Sequence, residues 1–343
     1  MTGSATVIVA GAGALGLSTA LALAGAGCAV TVCDPAEEAA NASGVAAGML
    51  APAFETVLDA ASAEHLALFL TARDLWPGLA ARAGVELDRS GAVAVGSETW
   101  LATVRAGLSR VGLHGSDLGR TALEAVAPGL SGAFEVGVMT REDWRLEPVA
   151  ALAALRRAAA AAGVSFRAEA ARDRGAADWL VAATGAKADL APELAHLSPI
   201  KGHILRARMD DVGRFSVRGE GAYAVPTAGG LAVGATMEPG VSDPTVDPSR
   251  APSLLAAGAA LFPDLADVQA SLAAGVRAAT PDGLPMVGAS VEPRVLVAAG
   301  ARRNGWLLAP LVAQVIAACV TGRDPGPYAA RLDPRRFEPG RTS

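Results

Sequence analysis

The chain is short of charge, of cysteine and of any positive surplus. Lys and Arg number 29 against 34 Asp and Glu in 343 residues, a formal net charge of −5 with charged residues at 18%. Binding nucleic acid or an anionic membrane calls for a basic face, so neither partner is expected. The three cysteines, Cys28, Cys33 and Cys319, form no CxxC and no paired framework, as expected of buried thiols in a reducing cytoplasm. The four histidines, His65, His114, His196 and His203, show no metal-ligand spacing among themselves or with the cysteines, and no metal site is expected. Unbroken apolar runs of membrane-spanning length are missing too. Residues 5–33 carry no charge, but glycines interrupt them, and 306–320 is short and contains Pro310, so no membrane span is expected. Internal repeats and low-complexity linkers are absent as well.

What is present is concentrated near the start. Residues 5–34 read ATVIVAGAGALGLSTALALAGAGCAVTVCD: apolar strand, glycine turn, Ala/Leu helix, second strand, acid. Gly11 permits the tight turn, Gly13 lets backbone approach a pyrophosphate, and Gly16 lets helix and strand pack closely. The helix-start amides of Ala14 and Leu15, with the positive end of the helix dipole, face that phosphate. Asp34 lies eighteen residues past Gly16, where a carboxylate accepts hydrogen bonds from both hydroxyls of an adenosine ribose. Its charge repels a 2′-phosphate, which leaves FAD or NAD rather than NADP. The fingerprint does not choose between those two.

Further along, small residues crowd 42–52 (ASGVAAGMLAP), which suits either backbone closing on a ligand or a flexible loop. The spacing of Leu66, Phe69, Leu70 and Leu75 predicts one amphipathic helix over 62–82. Residues 85–95 read as strand, glycine turn, strand, and 100–111 as helix. Loops and strands are expected over 120–147, around a Pro128-Gly129 turn, and an alanine-rich helix over 149–162. A buried strand then ends in Thr184-Gly185-Ala186, like a second glycine turn beside the dinucleotide. Strands are expected at 202–208, 221–226, 231–235 and 295–299, with turn and helix at 244–267 and a last helix at 306–320. The Arg/Pro-rich tail 323–343 is expected to pack loosely. Dinucleotide-type βα material thus sits at both ends and near 149–186, with meandering strands between, and the fold class expected is α/β.

Several short motifs fall in order across the remaining chain: Pro199-Ile200-Lys201-Gly202, Tyr223-Ala224-Val225-Pro226 and Gly234-Ala235-Thr236-Met237-Glu238. Val276-Arg277 follows with Thr280-Pro281-Asp282-Gly283-Leu284-Pro285, and then Arg303-Asn304-Gly305 with Leu307-Leu308-Ala309-Pro310. With Gly11–Gly16, Asp34 and the 42–52 loop, these make the chain resemble the FAD-dependent D-amino-acid oxidase superfamily over nearly its full length. Within it, the glycine oxidases of thiamine biosynthesis are the nearest in pattern. The resemblance implies a discontinuous Rossmann-type FAD-binding domain (1–84, 146–198 and 273–343). It also implies an inserted, β-rich α+β substrate domain (85–145 and 199–272).

It further implies noncovalent FAD, since no cysteine stands where one would attach the flavin. Ala42, Ser43, Ala47, Gly48 and Met49 would contact the flavin or its pyrophosphate, beside Gly11, Gly13, Ala14, Leu15 and Gly16. Asp34 and Pro35 would hold the ribose, backbone near Arg172 the adenine end, and Thr184 and Gly185 the second glycine turn. Ala301, Arg302, Arg303, Asn304, Gly305, Trp306 and Leu307 would wrap the isoalloxazine. Arg277 would grip a substrate carboxylate, with Arg303 beside it and the Tyr223 hydroxyl in the same pocket. A planar guanidinium suits a carboxylate because it gives two parallel N–H···O bonds. Taken without the motifs, a surface ion pair is the lesser reading for either arginine, and packing is the better one for Tyr223 on a strand.

The activity implied is FAD-dependent oxidation of glycine or another small amino acid to its imino acid, with O₂ reduced to H₂O₂, feeding thiazole synthesis for thiamine. No catalytic acid or base is expected, because the flavin does the chemistry. Ala301 and Arg302 stand where relatives often carry an aromatic or His, Trp306 replaces an aliphatic and His203 a Gln or Glu. Thr227 replaces a basic residue, and residues 143–148 are a looser acidic turn. These departures leave the substrate open, so a related oxidase or dehydrogenase of sarcosine, a D-amino acid or another amine remains an alternative. A tRNA-modifying flavoprotein is the alternative from another class, and the acidic composition speaks against it. A homotetramer and a cytoplasmic location are further expectations.

Overall fold

The computed structural model describes residues 4–338, built around two sheets. The smaller has six strands in the spatial order Met286–Ala289, Val295–Ala299, Trp179–Ala182, Thr6–Ala10, Ala29–Cys33, Ser165–Arg167. All neighbours run parallel except the first pair. A parallel sheet is covered on both faces, so its strands read as near-continuous apolar runs. Val7, Val9, Val32, Val181 and Val297 are accordingly buried. The helix Ala14–Gly25 packs against the last long helix, Gly305–Thr321, and against Pro148–Ala161. Alanine-rich faces allow that close approach.

Two glycines fix where the first helix sits. A Cβ at Gly16 would overlap the carbonyl oxygen of Gly11, and one at Gly11 (φ +109°) would overlap that of Ala183. First strand, first helix and the Ala183 turn thus meet at backbone distance. In the last helix Pro310 lies buried and has no N–H for the Trp306 carbonyl one turn back. That carbonyl instead accepts a hydrogen bond from Trp76 Nε1 at 2.9 Å, so the buried acceptor is satisfied.

The larger sheet has nine strands. Eight follow the spatial order Glu238–Pro239, Ser198–Arg208, Gly230–Gly234, Tyr223–Thr227, Ser216–Arg218, Ala92–Val95, Val136–Thr140, Ser116–Gly119. The ninth, Ala270–Ala279, pairs antiparallel with the whole length of Ser198–Arg208 apart from its last residue. Ala251–Leu261 packs on this sheet through Leu254, Leu261 and the adjoining Phe262, against Val217, Leu231 and Val233. The discontinuous nucleotide layer with an inserted β-rich layer is therefore the architecture observed.

Several local expectations need correction. The single helix over 62–82 is two, Leu66–Asp74 and Trp76–Ala83, because Pro77 cannot sit in a helix interior and starts a new first turn. Only Ala92–Val95 of 85–95 is a strand; before it, Asp88 and Arg145 exchange backbone hydrogen bonds of 2.8 and 2.9 Å across a loop. Residues 120–147 include a helix, Arg120–Val126. The boundary between 272 and 273 falls inside the strand Ala270–Ala279, whose pairing puts all of it in the larger sheet. The tail is not loose where it is described: Leu332 is fully buried and Arg336 pairs with Asp282 at 2.8 Å. Residues 339–343 lie outside the described residues.

Candidate active site

A cleft of about 780 Å³ runs between the two layers, within the range of small-molecule and cofactor sites. Its first end is built from backbone and small side chains. Gly11, Gly13, Ala14, Leu15, Asp34 and Pro35 line it, with Ala42, Ser43, Ala47, Gly48, Met49, Thr184 and Gly185. Asp34 is clamped: Oδ2 accepts from the Ala12 N–H at 2.7 Å and Oδ1 from the Ala36 N–H at 2.9 Å. Each oxygen keeps a lone pair for a ribose hydroxyl. The residue that caps the first helix is Gly13, which has no side chain to close that end, and Ser43 Oγ accepts from the Ala14 N–H at 3.0 Å.

The 42–52 segment is ordered by specific bonds rather than flexible. The Asn41 side chain accepts from the Ser43 and Gly44 amides at 3.0 and 3.1 Å. Arg206 Nη2 donates to the carbonyls of Gly44, Val45 and Ala46. Trp306 Nε1 donates to the Ser43 carbonyl at 3.0 Å, so the bulky residue that departs from the family pattern ties the last helix to this segment.

The other end is built from charge. Arg277 reaches the cleft from the strand Ala270–Ala279, and its guanidinium lies over Gly202, where any Cβ would collide with it. Its polar contacts are weak: Nη1 lies 3.4 Å from the Thr236 carbonyl and 3.3 Å from Met237 Sδ. Among the described residues it forms no ion pair with a carboxylate. Burial pushes its pKa down, and the like charges of Arg303 and Arg302 push the same way. Tyr223 packs against Gly234, where a Cβ would meet its hydroxyl. Burial pushes its phenol up, against the pull of Arg277 and Arg303.

The arginines of the last motif face two acids from the helix Pro52–Leu58 and the residue after it. Glu55 and Asp59, four apart, meet Arg303 and Arg302. Arg303 Nη2 lies 3.1 Å from Glu55 Oε1, and Arg218 Nη2 lies 2.6 Å from the same oxygen. The Glu55 and Arg218 side chains are each only 5% exposed. Burial alone would raise the Glu55 carboxyl, but Arg303 and Arg218 together hold it below the usual carboxylate range. Glu55 in turn raises the Arg303 guanidinium. Beneath this helix the buried Asp143 accepts from the Ala53 and Phe54 amides at 2.8 and 3.2 Å. Burial pushes Asp143 up to about 7, with Arg218 pulling the other way.

Ala301, Arg302, Arg303, Asn304, Gly305 and Trp306 also line the cleft, as do Arg277 and Tyr223. Three expected contacts do not. Gly16 sits behind Gly11 and acts through packing. Leu307 is fully buried and points into the core. Arg172 is exposed, and the preceding Ala170 and Ala171 reach the cleft in its place. Sequence reasoning missed Glu55, Arg218, Asp143 and Arg206. The spacing of Glu55 and Asp59 was the one local signal available, for two acids four apart share a helix face. Asp143 opens the loose acidic turn of 143–148, and Arg218 and Arg206 carry no pattern of their own.

The residues present fit FAD. One end offers glycines without Cβ, helix-start amides and a pre-fixed acid. The other opens on the N-terminus of the last helix, whose Asn304 makes no side-chain cap. A glycine oxidase from Geobacillus kaustophilus is 36% identical over 158 residues, 43% of this chain and 42% of its own length. One from Pseudomonas aeruginosa is 34% identical over 140 residues, 38% of each. The matched part thus spans about four-tenths of these relatives. A Rhizobium etli protein provisionally named a thiamine biosynthesis oxidoreductase, ThiO, is 32% identical over 339 residues, 91% of this chain and 95% of that one. The crystal structure of the Geobacillus kaustophilus glycine oxidase superposes with a TM-score of 0.85 at 27% identity, covering 97% of this chain and 98% of that one. Residues 6–319 match the family described as FAD dependent oxidoreductase, and the chain belongs to that family, the D-amino-acid oxidase superfamily to which the glycine oxidases also belong.

Proposed function

We propose that this chain oxidises the amine of a small α-amino acid, glycine first among them, to the imino acid. Bound in the cleft, FAD would supply the redox chemistry, a two-electron oxidation at the Cα–N bond with O₂ as the final acceptor, reduced with two protons to H₂O₂. The observation that carries the reading is Arg277, a cation in the cleft with no carboxylate partner among the described residues and with like charges beside it. A substrate carboxylate relieves both conditions through a two-bond fork. Arg303, already compensated by Glu55, shapes the wall and adds a second donor edge, and the Tyr223 hydroxyl faces the same space.

Among the described residues that line the cleft, none suits a general base. Glu55 is held ionised by two guanidinium groups and its Oε1 is committed to both, so it is a weak proton acceptor. The amine therefore enters neutral, and the protein binds and aims it. The N-terminus of Gly305–Thr321 opens on the cleft and would favour negative charge on a group held there. The likeness to the ThiO-named relative supports delivery of the imino acid to thiazole synthesis for thiamine. Ala301, small where relatives carry an aromatic or His, favours one second reading: a secondary amine such as sarcosine.

The test is Arg277→Ala in FAD-loaded protein, assayed by peroxide release and by anaerobic bleaching of the flavin. KM for glycine should rise a hundredfold or more, about 3 kcal/mol for a lost charged pair. An unchanged KM would place the carboxylate elsewhere.

A further inference from the structure

After the strand Gly230–Gly234 the chain crosses the amino-acid end of the cleft, to which Ala235, Met237, Ser242 and Pro244 contribute. Its strand pairing there is two residues long, Glu238 and Pro239 against Lys201 and Ile200. Beyond the Gly240 N–H bond to the Pro199 carbonyl and the ion pairs of Lys201 and Arg250, what fixes it is His203, at 0% exposure. The ring grips the crossing segment at both ends. Nδ1 lies 3.0 Å from Glu238 Oε1 and 3.2 Å from Thr236 Oγ1, and Nε2 accepts from the Asp247 N–H at 3.0 Å. The His203 N–H donates to Thr236 Oγ1 at 2.8 Å, and the Thr236 N–H donates to the His203 carbonyl at 3.2 Å. Because Nε2 accepts, the ring hydrogen belongs on Nδ1, donated to Glu238. The same segment supplies both polar contacts of Arg277, the Thr236 carbonyl and Met237 Sδ.

We propose that His203, as the neutral Nδ1–H tautomer, positions the 235–247 segment and through it Arg277, so that protonating the ring loosens this edge of the cleft and weakens carboxylate binding. The functional half of this proposal rests on the carboxylate role assigned to Arg277. An imidazolium keeps its bond to Glu238 but carries a second hydrogen, on Nε2, aimed at the Asp247 N–H. Two donors then face each other and the bond at that end is lost. To take the Nε2 hydrogen the Asp247 carboxylate, held by the Ser249 N–H at Oδ1 and by Arg250 at Oδ2, would have to turn toward the ring, which also displaces the segment.

The charged groups around the ring are Glu238, Asp243 and Asp247 on the segment, Lys201 on the same strand (3.6 Å from Asp243), Arg250 (3.0 Å from Glu238) and Arg277 on the neighbouring strand.

The experiment uses FAD-loaded protein and its His203→Gln and His203→Ala variants at pH 8 and pH 5.5. Hydrogen exchange of peptides covering 235–250, corrected for intrinsic rates, reports the segment. Flavin absorbance titrated with acetate, a carboxylate without an amine, reports the cleft. In the wild type, protection should fall about tenfold at the lower pH and the acetate Kd should rise three- to tenfold with it. His203→Gln, which can bond but not titrate, should show neither change, and His203→Ala should exchange fast at both pH values. If His203→Gln keeps the wild-type pH dependence, His203 is not the group responsible and the proposal falls. If exchange responds to pH while acetate affinity does not, the link to Arg277 falls. If acetate binds equally well to Arg277→Ala, the carboxylate reading itself fails, while the exchange result still judges His203.

Discussion

The two ends of the cleft are made of different material. At the nucleotide end the wall is mostly main chain, supplied largely by residues 11–49, and Asp34 there is pre-set by backbone N–H groups. At the amino-acid end, ionised side chains come from four separate parts of the chain: Glu55, Arg218, Arg277 and Arg303. A backbone-built site depends on where side chains are missing. A charge-built site depends on distant segments arriving together, with each charge balanced by another. The two should therefore fail in different ways.

The largest expected effect is at the first end. Gly16→Val places a side chain where even a Cβ overlaps the Gly11 carbonyl, so helix and strand must separate. The variant should be recovered without FAD, or not recovered at all, as read by the flavin absorbance of purified protein. Gly78→Ala is the contrast: Gly78 lies in the helix Trp76–Ala83 with open space around it. It should leave FAD content unchanged and gain roughly 0.5–1 kcal/mol from helix propensity. Normal FAD content in Gly16→Val would break the comparison.

A smaller effect is expected at the second end, and of another kind. Glu55→Ala leaves Arg218, 5% exposed, without its counter-ion, and breaking a buried pair this way costs about 3–5 kcal/mol. Urea unfolding of the FAD-loaded variant should show a loss near the lower figure, because Asp143 remains close enough to Arg218 to lower its own carboxyl. A loss under about 1 kcal/mol would mean that this end does not rely on charge balance.

The same contrast explains how much was legible beforehand. The glycine turn, Asp34 and the strand–helix–strand order were readable because one short stretch carries both the pattern and its physical reason. Arg277, Arg303 and Tyr223 were legible only through motif resemblance, for nothing near them in sequence says what they face. Glu55 and Arg218 were missed because their meaning lies in a contact 163 residues apart. Arg172 was misplaced because the contact there belongs to the backbone of its neighbours, which side-chain identity does not mark. The broken helix at Pro77 is readable in principle, since a proline there forbids a continuous helix, but the apolar spacing runs on through it and hides the break.

The smallest effect sharpens the comparison through pH. Asp143 lies under the helix that carries Glu55, and burial raises its carboxyl to about 7, against roughly 3.9 in an unfolded chain. Between those values the unfolded chain has released a proton that the folded chain still holds. Stability therefore falls as pH rises through this window and levels off above 7. At no more than about 1.4 kcal/mol per pH unit, the loss from pH 5 to pH 7 should be on the order of 2 kcal/mol. Glu55, Asp88 and Asp282 have lowered values, so their stabilisation is present above the unfolded value and disappears only at more acid pH. They do not cancel the Asp143 slope. Asp143→Asn isolates it: its carbonyl can accept from the Ala53 N–H, but its amide meets the Phe54 N–H donor to donor. The variant should thus start below the wild type at pH 5, by about 1 kcal/mol for the lost bond, cross it within the window, and stand about 1 kcal/mol above it by pH 7. Parallel urea midpoints for the two proteins across the window would show that Asp143 ionises freely in the folded state, and that the charge-built end is less sensitive to pH than its burial implies.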